Sequence, residues 1–289
     1  IYYVAGHDGS AKNIVERYDP ATNQWETLNP LATARSGVST AVLNGKLYAI
    51  GGEGLTSVEI YDPQMGQWAN GPSLPSVVTH AAAITVGSKI LLVGGFGSSG
   101  SQKLNQVLEL DPTTNQWATK ASMPTARHGL KLAYLNGKVW AVGGETSNAL
   151  DVVEIYDPKI DSWTTGPSLT TARQWAFSWV ASGRIYMGGG YDDSNPKSSI
   201  EMYDPASNQW TVLSANFPEN KTVAGTAHLG GKVYVVAGKN GSAYSDKVFA
   251  ADITPPMDLY FRDANATGTI TLDKFAGEVT AKLDGNASA

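Results

Sequence analysis

Two recurring marks predict an all-β fold: a six-bladed β-propeller with four antiparallel strands per blade, followed by a C-terminal tail. An Asp-Pro pair with a Trp six positions after the Asp occurs five times, at Asp19/Trp25, Asp62/Trp68, Asp111/Trp117, Asp157/Trp163 and Asp204/Trp210. A Gly-Gly or Ala-Gly pair closes an apolar run six times, with second glycines at Gly6, Gly52, Gly95, Gly144, Gly190 and Gly238. The spacing of 43 to 49 residues is that of propeller blades. No stretch up to residue 250 carries a helical apolar period.

The unit around residue 130 shows how each element follows from its residues. Thr125 to Leu135 opens as a strand alternating large and small side chains. Asn136-Gly137 makes a two-residue hairpin, because both central positions of that turn need positive φ. Lys138 to Val142 returns as the second strand and Gly143-Gly144 ends it. Asp151 to Tyr156 is the third, Asp157-Pro158 turns the chain, and Ser162-Trp163-Thr164 starts the fourth. The repeat Trp and Trp140, which falls in the column of Tyr48, are expected to pack the blades. The Glu of Val-Glu-x-Tyr (Glu16, Glu59, Glu154, Glu201) is expected to pair with a neighbouring blade or a backbone group. The paired glycines are expected to allow close approach between blades or to bend the second strand.

Composition narrows the function classes. Of 289 residues, 42% are hydrophobic, enough for a real core, and only 16% are charged against a usual share of about 25%. The net charge of −5 argues against a nucleic-acid binder. No apolar run reaches membrane-spanning length. With no Cys, the chain has no disulfide, thiol nucleophile or Cys-ligated metal. Thirty-one Gly with few charges suit a secreted or cell-surface protein of bacterial type. A start at Ile1, without Met, suits a processed or excised part of a longer protein.

The paired glycines, the Tyr-Asp-Pro turn, the spaced Trp and the Thr-Ala-Arg opening at Arg35, Arg127 and Arg173 resemble the Kelch-repeat family. The resemblance covers residues 1 to about 261 and implies a Kelch-type propeller there, with 262–289 as tail. It implies little about function, since such propellers serve as adaptors, lectins and enzymes. Ile1 to Gly6 aligns with Leu47 to Gly52, so blade one begins at its second strand. Residues near 276–284 are a candidate for its missing inner strand, because Gly277 to Gly285 aligns without a gap on Gly37 to Gly45. The tail reads equally as a linker or stalk start. A third reading is a calcium loop from Asp263 and Asn265, weakened by Lys274 at the position where a bidentate Glu is required. No cofactor other than calcium is suggested.

Ligands of propellers sit where loops from several blades converge. Aligned first strands place Arg35, Val78, Arg127, Arg173 and Lys221 in one column, and Ser36, Thr79, His128, Gln174 and Thr222 in the next. In adaptor-type Kelch propellers the matching columns line a peptide pocket. The basic column reads either as a ring for ligand carboxylates or as a repeat feature, its cations holding loop carbonyls or a carboxylate of the next blade. Trp175 replaces Gly37 and Gly129, and its indole suits stacking on a sugar or an apolar side chain. Tyr191 adds aromatic surface after Gly190. Asp192 and Asp193 gather hard oxygen ligands that suit calcium or a solvated turn. His128 is the one weak catalytic candidate.

Binding is favoured over catalysis. The tyrosine–cysteine radical site of galactose oxidases is impossible without Cys, and the four His lack metal-ligand spacing. The leading expectation is a non-enzymatic module recognising a protein or glycan on its loop face. The alternatives are a sialic-acid epimerase with His128 moving the proton, and a subunit of a surface fibre that self-associates through residues 262–289.

Overall fold

The computed structural model describes residues 1–253 and, beyond them, the strands Arg262–Asp263, Thr269–Leu272 and Ala281–Asp284. It is all-β, with no helix among the described residues, and it is a six-bladed propeller. Blade one holds three strands, Tyr2–Val4, Val15–Asp19 and Gln24–Thr27. Blade two runs Ser39–Leu43, Lys46–Ile50, Val58–Asp62 and Gln67–Asn70 in that order across its sheet. Blade three repeats the order with Ala82–Val86, Lys89–Val93, Val107–Asp111 and Gln116–Lys120. Blade four has Lys131–Leu135, Lys138–Val142, Val153–Asp157 and Ser162–Thr165. Blade five has Phe177–Ala181, Arg184–Gly188, Ser199–Asp204 and Gln209–Asn216. Blade six has Gly225–Leu229, Lys232–Val236, Val248–Asp252 and the short Arg262–Asp263, whose register sets Phe249 opposite Asp263.

The propeller sheet thus takes in two residues past position 261. Part of the segment considered for blade one's inner strand, Ala281–Asp284, pairs with Thr269–Leu272. Residues 276–280 and Asn265 lie outside the described residues.

The chain divides into two compact units, residues 1–139 with 154–164, and residues 140–153 with 165–289. In the first, Leu43, Tyr48, Ile50, Val78, Ile90, Leu92, Leu108 and Leu110 form an apolar cluster shared by blades two and three. In the second, Phe177, Trp179, Tyr186, Phe217, Val233 and Phe249 do the same for blades five and six.

The repeat marks have visible tasks. Asn136 and Gly137 both take positive φ, 51° and 77°, as the hairpin requires. A Cβ on Gly94 would lie 2.5 Å from the carbonyl oxygen of Arg127 in the next blade. In blades one, two, four and five the repeat Trp lies tilted beside the Tyr of its own blade, in blade three Trp117 stands opposite Leu110, and Trp68, Trp117, Trp163 and Trp210 donate the indole N–H to the connector before their blade. Trp163 bonds Ala121 O at 2.8 Å, and Trp210 bonds Pro167 O at 3.0 Å. Trp140 is buried against Tyr203, with ring centroids 4.5 Å apart.

Candidate functional site

The basic column lies inside the protein. Arg35, Arg127, Arg173 and Lys221 are each fully buried. In blade five, Arg173 donates through Nη1 to Gly189 O (2.8 Å) and Ser199 O (3.1 Å), and through Nη2 to Ser199 Oγ (3.2 Å) and Glu201 Oε1 (2.6 Å). Glu201 also accepts the backbone N–H groups of Thr170 and Thr171. Blade two repeats the arrangement: Arg35 reaches Gly51 O, Ser57 and Glu59, and Glu59 caps Ala32 N and Thr33 N. In blade four Arg127 meets Glu154 at 2.5 Å, and Thr125 Oγ1 donates to the same carboxylate. The expectation that these cations face a ligand is therefore corrected. Each is engaged by a carboxylate, with loop carbonyls added at Arg35 and Arg173 and Ser245 Oγ at Lys221, because a buried charge needs partners for itself and its N–H groups. For the three arginines the carboxylate belongs to the cation's own blade, not to the next one, and for Lys221 it is Glu219 of the preceding connector.

Links between blades come from the backbone of this column instead. The second glycine of one blade donates its N–H to the carbonyl of the column residue in the next. Gly52 N bonds Val78 O (3.0 Å), Gly95 N bonds Arg127 O (2.9 Å), Gly144 N bonds Arg173 O (2.9 Å) and Gly190 N bonds Lys221 O (2.7 Å). That bond forms whether the side chain is Val, Arg or Lys.

The second column is also mostly covered. Ser36 is buried, and its carbonyl accepts the N–H of Glu53. His128 is buried with its ring stacked on Phe96, centroids 3.9 Å apart, and His80 also meets Phe96, edge-on. Burial, aided by the charges of His80 and Lys103, pushes His128 down to about 4. A general base working near neutrality has a pKa close to 7, well above that of this covered imidazole.

In the second unit the loops after Gly190 and Gly238 fold over the openings of the inner strands. Gln174 exchanges both backbone bonds with Tyr191, and Thr222 does so with Lys239. The Gln174 amide donates to Asp193 Oδ1 (2.9 Å), and the other oxygen of Asp193 accepts Ala149 N (2.7 Å). Tyr191, half-buried, donates its hydroxyl to Asp193 O. Asp192 is ion-paired with Lys197 and accepts the N–H groups of Ser194 and Asn195. The Lys197 ammonium leads the causes that hold Asp192 at about 2. These two carboxylates tie loops together, and no three His, Asp or Glu gather as metal ligands among the described residues. Asp263 lies in the last strand of blade six, so with Asn265 undescribed the calcium loop is not assembled from described residues.

Trp175 is only partly buried, and its backbone is left-handed, φ 54°. Alignment of the repeats had marked Trp175 but passed over Val223, which stands in the same column with φ 58° and exposes 51% of its surface. The same gapless alignment carried the signal, since Val223 too replaces Gly37 and Gly129.

Comparison with known proteins adds the family context. Residues 1–174 match the family model described as the KLHDC2/KLHL20/DRC7 Kelch-repeats domain, and residues 180–215 match the Kelch motif. Kelch-like protein 26 of Danio rerio is 32% identical over 221 residues, 73% of this chain and 36% of that protein. Kelch-like protein 25 of Xenopus tropicalis is 27% identical over 231 residues, 74% and 39% of the respective chains. The chain thus spans well under half the length of these relatives. The solved structure titled "Structure of YjhT" superposes with a TM-score of 0.73 at 16% identity, over 86% of this chain and 94% of that one, a likeness of fold. No helix among the described residues is long and apolar enough to cross a membrane.

Proposed function

The chain belongs to the Kelch-repeat family, and from that premise we propose that it is a recognition module that binds a protein ligand on the loop face of blades five and six. The carrying observation is Trp175. It is a large amphipathic side chain, partly exposed in a left-handed backbone, next to Gln174, which pairs with Tyr191 of the loop 190–198, and its carbonyl accepts the N–H of Val223, next to Thr222, which pairs with Lys239 of the loop 238–247. Aromatic anchors on such faces supply much of the contact energy in protein recognition. Burial of His128 and Ser36, and enclosure of the cations, leave this aromatic region as the best-supported surface in the second unit. A secreted or surface setting belongs to the proposal and rests on composition.

Selection of peptides from a random display library on the purified 289-residue chain tests the reading. Selected peptides should lose binding to Trp175→Ala while its melting temperature stays near that of the parent. Binding indifferent to Trp175 overturns the reading. A glycan ligand is the second reading, favoured by the same indole, which can stack on a sugar ring; array binding abolished in Trp175→Ala would support it.

A further inference from the structure

The loop of blade six at residues 238–247 contains no buried residue, and Asn240 to Tyr244 are exposed. It is a small hairpin closed on itself. Lys239 pairs with Tyr244, Asn240 pairs with Ala243, and Ser245 N–H bonds Gly238 O at 2.9 Å. Both its ends are fastened to one short stretch of the preceding connector, residues 219–222. At one end Thr222 and Lys239 exchange both backbone bonds, at 3.0 and 2.8 Å. At the other, Lys221 Nζ donates to Ser245 Oγ (2.6 Å) and Lys247 Nζ donates to Glu219 Oε2 (3.0 Å). Lys221 Nζ also donates to Glu219 Oε1, at 2.9 Å. One carboxylate therefore holds two ammonium groups, one on each side of the seam.

The two sides of this seam differ in firmness. The connector is anchored: Phe217 and Lys221 are buried, Phe217 belongs to the aromatic cluster of blades five and six, and Lys221 N–H bonds Lys197 O at 3.0 Å. The loop faces water and is held by polar ties. Segments with few buried contacts open locally at far less cost than unfolding the whole. Gly238, with φ 87°, supplies a hinge. The charges make the seam two-sided in a second sense. With the carboxylate in place both lysines are attracted to it; without it, they face one another as like charges and the attraction becomes repulsion. In blades two and five the joint carboxylate, Glu59 or Glu201, instead caps N–H groups of the connector.

We propose that residues 238–247 are a lid latched by Glu219, which swings open as one unit when the hold of that carboxylate on the two lysines is broken, baring the Lys221 ammonium and the backbone of Thr222. Blade six then has a closed and an open state over an unchanged sheet. The device goes beyond the loop-face reading and does not depend on what binds there.

Amide hydrogen exchange of the whole chain, read by mass spectrometry with no ligand present, tests it. In Glu219→Gln the segment 239–247 should exchange about tenfold faster or more, with Lys232–Val236 unchanged. Ser245→Ala keeps both ion pairs and removes one bond, so the same segment should exchange roughly threefold faster. Raising salt from about 0.1 M to about 1 M should speed exchange of the segment in the parent, where the Lys247 pair is half-exposed, and slow it in Glu219→Gln, where salt screens a repulsion. The salt series on the parent and Ser245→Ala alter no buried charge, so they decide the matter if Glu219→Gln does not fold. Equal exchange in the parent and the variants would refute the latch. Faster exchange that spreads to Lys232–Val236 would show loss of the blade and not the opening of a lid. Either failure leaves the loop-face reading standing, since that reading is tested by binding to Trp175→Ala.

Discussion

Blades three and five build the same joint from opposite materials. Blade five sets Arg173 against Glu201, both side chains wholly buried, with Ser199 and two backbone N–H groups completing the network. Blade three puts Val78 and Leu108 at the equivalent positions, and both belong to an apolar cluster. Pro75 there occupies the position of Thr170, so one of the N–H groups that Glu201 caps does not exist in blade three. Blade six is a third solution. Lys221 lies 5.3 Å from the centre of the Phe249 ring, in the Glu column, and draws its carboxylate from Glu219 in the preceding connector. The difference teaches that the propeller requires a filled, satisfied joint and not a charge. A buried ion pair can be exchanged for apolar groups with little loss, whereas half of one cannot be kept.

Breaking one half of the pair should therefore produce the largest effect. Glu201→Leu strands a buried guanidinium and two N–H groups, and should cost about 3–5 kcal/mol in urea unfolding. Adding Arg173→Val transplants the joint of blade three into blade five and should recover most of that loss. A double variant as weak as the single one would show that the joints are not interchangeable.

The comparison extends to acid, because blade three contributes His80 and Phe96 to the stack that covers His128. The folded His128 titrates at about 4, below its ordinary value of 6.5, chiefly because it is buried. As pH falls through that window the unfolded chain takes up the proton first, so stability is present above 6.5 and lost on the way down to 4. The loss should be on the order of 2–3 kcal/mol. In His128→Gln, unfolding measured at pH 7 and pH 4.5 should show a smaller difference than in the parent.

A smaller effect separates joints within blades from the links between them. Trp163→Phe removes the bond to Ala121 O and should cost about 1 kcal/mol, with no change in peptide binding, since it touches neither the column nor the loop face of the second unit.

The architecture was legible because its determinants are local and repeated: Asn136-Gly137, the Tyr-Asp-Pro turns and the Trp column each announce one element. The basic column misled because the carboxylate partners of its arginines stand 24 to 28 residues away, Arg35 with Glu59 and Arg173 with Glu201. An isolated column of Arg says nothing about which way a guanidinium turns. Covariation inside the chain carried that information: where Arg becomes Val78, the Glu becomes Leu108, and where it becomes Lys221, the Glu becomes Phe249. The loop face was half legible. Trp175 stood out by its size, whereas the exposure and backbone of Val223 depend on bonds between blades that no local pattern reveals. At Asp192 and Asp193 the sequence offered hard oxygens that suit calcium or a turn, and their bonds to Lys197, Ser194, Asn195, Gln174 and Ala149 are seen only in the folded chain.

The central claim is that columns which repeat hold the blades, while side chains which break the repeat meet the ligand. Its most direct test is the affinity of the Arg173→Val/Glu201→Leu variant for a peptide selected on the parent chain. The account predicts parental affinity in that variant and none in Trp175→Ala. A well-folded double variant that no longer binds would contradict it, because the buried guanidinium of Arg173 would then be reading the ligand.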